Sequence, residues 1–250
     1  MTDNISVKEL PSDEMVIRRI VRAIQKAIEE DVPEFCRDNH METMNCVRYI
    51  RGDKINDNMR NLVVSDDIRL ISFKRYAWDG RMLIDQKSHN SYTITTQQNL
   101  QTIPKKRDRK NPHFVQSILA VENCDLKGEY VQQSLFPMEQ FDSEVLVEDY
   151  KKIVSGVLEP DSGYHHYIIT YEFEKNELLD VKMVLMDKDF NLVNEIPLND
   201  YIKPDFALLT ANQLEHSVHT TETAASARSL VTIKPGLRPG LIELEDDKKA

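Results

Sequence analysis

Apolar side chains near the start of the chain recur at helical spacing. Val16, Ile17, Ile20, Val21, Ile24, Ala27 and Ile28 fall three and four positions apart, so a helix over 11–30 would carry them on one face. Ser12 or Asp13 suits its N-cap, and Pro33 is expected to end or kink it. Met41, Met44, Val47 and Ile50 predict a second helix stopped at Gly52. Ile55, Met59 and Leu62 predict a short third.

The period then changes to two. Residues 69–77 alternate as a strand, and Asp79-Gly80 reads as a hairpin turn because both central positions of a type I′ turn need positive φ. Met82, Leu83 and Ile84 form the return strand, 86–90 turns again, and Tyr92–Thr95 supplies a third strand. Helices are expected at 97–103 and 112–122, the latter with Pro112 at its first position. A strand at 130–136 and a helix at 143–157 capped by Ser143 follow. The strongest β signal is a second meander: 164–173, a turn at Lys175-Asn176, 178–186, a turn at Lys188-Asp189, and 190–198.

This order predicts an α+β fold: N-terminal helices, then two antiparallel meanders separated by helices. We expect a single domain over 1–206, divisible into sub-lobes at 1–125 and 126–206. Whether the meanders share one sheet is left open. The last 44 residues, from Ala207, contain no aromatic residue, and 207–250 reads as a flexible tail. Within it Leu230, Val231, Thr232 and Ile233 alternate like a strand before Pro235, as a segment that adds to a sheet edge would.

Composition narrows the function classes. The formal net charge of -10 repels phosphate backbones at long range, so nucleic acid is expected only where a local basic patch overrides it. The seven glycines are scattered, with no P-loop and no GxGxxG. The three cysteines, Cys36, Cys46 and Cys124, form no CxxC and read as buried or idle thiols of a reducing compartment. No segment approaches the length of a membrane span, and no cofactor signature occurs, so the expected setting is cytoplasmic.

Three patterns carry candidate chemistry. Pro160-Asp161 followed by Asp180-Val181-Lys182 spells the PD…(D/E)xK arrangement, in which two carboxylates hold Mg²⁺ and a lysine two positions on activates water. The bland reading is a solvated hairpin face. His165 and His166 are adjacent on a strand, point to opposite faces and cannot share a metal, so no metal site is expected. Lys105, Lys106, Arg107, Arg109 and Lys110 form a basic patch on an acidic chain, suited to nucleic acid or an acidic partner; the alternative is a solvated loop.

Trp78, Leu83-Ile84-Asp85, Ser91-Tyr92-Thr93-Ile94, Asn111-Pro112-His113-Phe114 and the stretch 167–198 resemble a group of uncharacterised bacterial and prophage-associated proteins, over about residues 40–202. The resemblance implies an accessory protein of regulation or defence and carries no catalytic residues. The sequence is therefore read as a non-enzymatic interaction or regulatory protein that self-associates or binds a protein partner. A Mg²⁺-dependent PD-(D/E)xK nuclease built on Asp161, Asp180 and Lys182 is the alternative.

Overall fold

The computed structural model describes residues 10–75, 78–107, 109–129 and 139–203. Helix α1 (Glu14–Lys26) starts where the Asp13 carboxylate accepts the Met15 N–H at 2.8 Å. Ser12, the other candidate cap, instead bonds Asp85 at 2.7 Å and Tyr92 at 2.5 Å, fastening the chain to the sheet. Pro33 does not end the helical run. A π-helical turn at Ala27–Asp31 widens the ladder, with the Val32 N–H bonded to the Ala27 carbonyl, and α2 (Val32–Asp38) begins with Pro33 in its first turn. The wider π turn before it accommodates a residue that has no N–H to give to the ladder.

Gly52 likewise stops nothing: α3 (Val47–Asn58) runs through it and continues into a second π turn, Met59–Val63. The two predicted helices are thus one, begun after Met41 and Met44. The buried Asn58 amide donates to the Ala23 carbonyl at 3.2 Å and to Asp31 at 2.6 Å, tying α3 to the first helical run.

Strand β1 (Ile68–Arg75) pairs antiparallel with β2 (Trp78–Asp85), and β2 with β3 (Asn90–Thr96). Asp79 and Gly80 lie inside β2, opposite Lys74 and Phe73, so the expected turn does not fall on them. Gly80 serves packing: a Cβ there would stand closer than 3.0 Å to the Phe73 ring. After β3 come α4 (Gln97–Thr102) and α5 (Phe114–Glu122), the latter capped by the His113 ring, with Pro112 outside it. Helix α6 (Ser143–Val154) ends where Ser155 turns left-handed at φ 50°, short of the expected 157. Its N-cap is Asp142 rather than Ser143, without a side-chain bond. The expected strand at 130–136 lies outside the described residues, as does everything from 204 onward, including Leu230–Ile233.

The second meander is β4 (His165–Glu174), β5 (Glu177–Met186) and β6 (Leu192–Pro197). Strand β4 lies parallel to β3, in register from Asn90 opposite His165 to Thr96 opposite Tyr171. The two meanders therefore form one six-stranded sheet in sequence order, antiparallel except at its centre. A parallel pair needs a crossover, supplied by the chain from α4 to α6.

Both faces of the sheet are covered. Ile17, Ile20, Ile24 and Ile28, with Met59 and Val63, pack on Leu83, Tyr92, Ile169, Val181 and Met183. On the other face Ile118, Tyr150 and Ile153 pack on Ile71, Phe73, Met82 and Ile84, while Leu100, Ile103 and Val115 pack with Ile168. The fold is α+β with helical layers on either side of one mixed sheet. Among the described residues no helix is long and apolar enough to cross a membrane.

Candidate functional site

Strands β2 and β3 pair only where Leu83, Ile84 and Asp85 face Tyr92, Ser91 and Asn90. From there they part: Trp78 to Met82 stay laddered to β1, and Thr93 to Thr96 to β4. The fork opens at the end of the sheet where β1, β3 and β4 finish. A cleft of about 1580 Å³ lies there, walled by α3, the β1–β2 hairpin, the end of β4, and the loop joining α4 to α5. Ligands of open sheets with parallel strands commonly bind beyond the carboxyl ends of those strands.

The cleft is basic on an acidic chain. Helix α3 brings Arg48 and Arg51, the hairpin brings Arg75 and Arg81, and the loop brings Lys106, Arg109 and Lys110. Facing these seven cations are three carboxylates, Asp53, Asp79 and Glu172. The cations are not equivalent. Arg75 is half-buried and ion-paired with Asp149, which also accepts from Ser117, so it is committed to the fold. Arg109 donates to the Ile103 carbonyl at 3.0 Å, and burial pulls its pKa down. The Arg51 guanidinium lies 3.8 Å from the centre of the Phe173 ring. Its buried Nε has no hydrogen-bond partner, and burial lowers its pKa too. Desolvated cations of this kind are favoured by an anion brought against them.

Aromatic side chains stand among the charges. Tyr49 is 72% exposed and Trp78 48% exposed, unusual for rings this large. Trp78 is braced from behind, its ring centre 5.4 Å from that of Phe114 and 5.8 Å from that of Phe73. His113 continues the wall, 4.5 Å from Phe114. Its pKa is held down to about 3 by burial and by the charges of Arg109, Arg75 and Lys106, so it adds no charge at neutral pH.

Of the basic loop expected from sequence, Lys106, Arg109 and Lys110 line this cleft, and Lys105 and Arg107 do not. Sequence reasoning missed Arg48, Tyr49, Arg51, Arg75, Trp78 and Arg81. The signal available was Arg48-Tyr49-Ile50-Arg51, two cations and an aromatic within one helical turn.

Asp161, Asp180 and Lys182 are not brought together. Lys182 stands 3.8 Å from Asp180 and 3.1 Å from Glu195, and Asp180 accepts from the Asn199 amide at 2.7 Å. Asp161 is exposed ahead of the start of β4, while Asp180 pairs with Glu172 toward the other end of that strand. At ~3.3 Å per residue the strand alone separates them by roughly 20 Å, too far to share one ion. Among the described residues no three His, Cys, Asp or Glu side chains are grouped to hold a metal.

A second polar cluster lies buried between the sheet and α5. Tyr150 donates to Glu122 at 2.8 Å, Ser91 bonds the same carboxyl, and the His166 ring meets Ser91 at 2.6 Å and Thr93 at 2.8 Å. Asn123 completes it, donating to the His166 carbonyl and accepting the His166 N–H. Burial raises the Glu122 pKa to about 7 and lowers that of His166 to about 3. Acid, imidazole and hydroxyl are all present, yet Ser91 and His166 have no exposed surface, so no substrate reaches them. The cluster ties α5 to the parallel pair. His165 points the other way and is partly exposed, as alternation requires. The cysteines are unpaired; none is buried, with Cys36 partly exposed and Cys46 and Cys124 exposed.

No curated protein and no solved structure matches the chain. A family of unknown function, DUF5986, matches residues 9–248, well beyond the stretch on which the resemblance to uncharacterised proteins rested, and the chain belongs to that family.

Proposed function

We propose that this chain is a non-enzymatic interaction protein, regulatory in role, whose basic cleft holds a nucleic acid. The observation that carries the reading is convergence. Six cations besides the ion-paired Arg75, from three separate parts of the chain, line one cleft against three carboxylates, although the whole chain carries a net charge of -10. Like charges gathered this way repel one another, and a polyanion removes that cost. The size also suits a polymer: about 1580 Å³ exceeds the ~300–1,000 Å³ usual for small-molecule pockets. The acidic remainder of the surface disfavours diffuse phosphate binding and confines the attraction to the cleft.

Fluorescence anisotropy with labelled DNA and RNA oligonucleotides, from about 50 to 200 mM salt, tests this. Binding that weakens with salt is expected. Replacing Lys106 and Lys110 together by Glu should weaken it at least tenfold and flatten the log–log salt slope by roughly 1.4 or more, as for two lost phosphate contacts on a single strand. Absence of binding at the lowest salt, or a slope indifferent to the substitutions, overturns the reading. Adding Mg²⁺ or Mn²⁺ to the same samples tests the alternative: cleavage lost on Asp180→Ala and Lys182→Ala would favour a nuclease.

A further inference from the structure

From the aromatic wall of the cleft we infer that the bound nucleic acid is single-stranded and that a base stacks on the exposed half of Trp78. The inference rests on the nucleic-acid reading above and goes further by fixing the strand state. Charges alone do not distinguish duplex from single strand, because both present phosphates. Aromatic faces do. A duplex keeps its bases stacked on each other, whereas a single strand offers every base to a ring.

Trp78 is built as such a platform. It opens β2 at the mouth of the fork, with Phe73 and Phe114 at its back and nearly half its surface free. Covering an exposed indole of this kind is favourable, and the bracing means that little rotamer freedom is lost on binding. Tyr49, on the α3 wall between Arg48 and Arg51, interleaves a second free ring with cations. Alternating rings and cations are what a tracked single strand needs: phosphates to the guanidinium and ammonium groups, bases to the rings. The parted strands add polar groups, since the edge of β3 turned toward β2 is free of ladder bonds to β2 from Thr93 to Thr96.

Trp78 is the sole tryptophan of the chain, so its emission reports on this one position. Full-length protein would be titrated with a single-stranded oligonucleotide and with the duplex of the same sequence, following Trp78 emission and, separately, anisotropy of a labelled strand. We expect single strands to quench Trp78 and to bind at least tenfold more tightly than duplex. Trp78→Ala should weaken single-strand binding by roughly 5- to 150-fold while leaving the salt slope unchanged, since stacking releases no counterions. Trp78→Phe, which keeps a ring against Phe114, should retain most of the affinity and controls for folding. Equal affinity for duplex, or tight single-strand binding that leaves Trp78 emission unmoved, overturns the stacking inference while the cleft reading stands. Binding of neither form defeats both.

Discussion

Replacing Glu122 by Gln should change how stability depends on pH, in a direction fixed by the burial of that carboxyl. Glu122 sits between α5 and the sheet, and burial lifts its pKa from an ordinary 4.5 to about 7 against the pull of its bonds from Ser91 and Tyr150. The folded state therefore holds a proton that the unfolded state releases, so stability is fully present below pH 4.5 and falls as pH rises through 7. The window spans 2.5 pH units, and at 1.36 kcal/mol per unit the loss is about 3 kcal/mol. Glutamine keeps the shape, accepts from Tyr150 and donates to Ser91, but cannot ionise. The variant should match the wild type near pH 4 and become more stable by up to about 3 kcal/mol near pH 8. His166 and His113, both held near 3, carry the opposite sign: their contribution is present above 6.5 and lost as pH falls toward 3. Their slopes overlap the Glu122 window, so the difference between the two proteins must be read, not either curve alone. Urea unfolding followed by circular dichroism at several pH values gives it. Parallel curves, with an offset independent of pH, would show that Glu122 is ionised in the fold and refute the argument.

Gly80→Ala should destabilise by about 1–3 kcal/mol in urea unfolding, because a Cβ meets the Phe73 ring, itself wedged between Trp78 and Phe114. Asp180→Ala and Lys182→Ala should each shift stability by no more than about 1 kcal/mol, since the pair is partly exposed and its members stand 3.8 Å apart. A larger loss in the same assay would mean that Asp180 and its Asn199 contact do more than decorate a hairpin. Replacing Val231 and Ile233 together by Asp should abolish retention of a protein partner in a pull-down if that run adds to a sheet edge. Unchanged retention would leave the run without that role.

Most of the strands were legible because alternation and β-branched residues mark them locally, and so were the amphipathic stripe of α1 and the Asp13 cap. The errors share a cause: each gave a punctuating residue its local meaning where a tertiary contact decides. Asp79-Gly80 reads as a turn until Phe73 is placed opposite Gly80, where only a hydrogen fits. Gly52 reads as a stop and Pro33 as an end or a kink, yet α3 continues on the packing of Ile55 and Met59, and the helical run passes the proline by way of the π turn before Val32. The union of the meanders was invisible because a parallel pair is specified by the crossover and not by either strand's own pattern.

The same reasoning explains why only part of the cleft was visible in the chain. Lys106, Arg109 and Lys110 are neighbours in sequence, so a basic run announces them. Arg48 and Arg51 are separated from that loop by three strands, and nothing local says that α3 and the α4–α5 loop end at one place. What brings them there is the antiparallel order of β1 to β3: the end of β1, the start of β2 and the end of β3, from which the loop leaves, lie at one end of the sheet, and α3 reaches the same end. Strand β4, parallel to β3, ends there too and sets the Phe173 ring against Arg51. The basic character of the cleft is thus a property of topology: it arises from charges unremarkable in their own segments, gathered at one end of the sheet by the order of its first three strands.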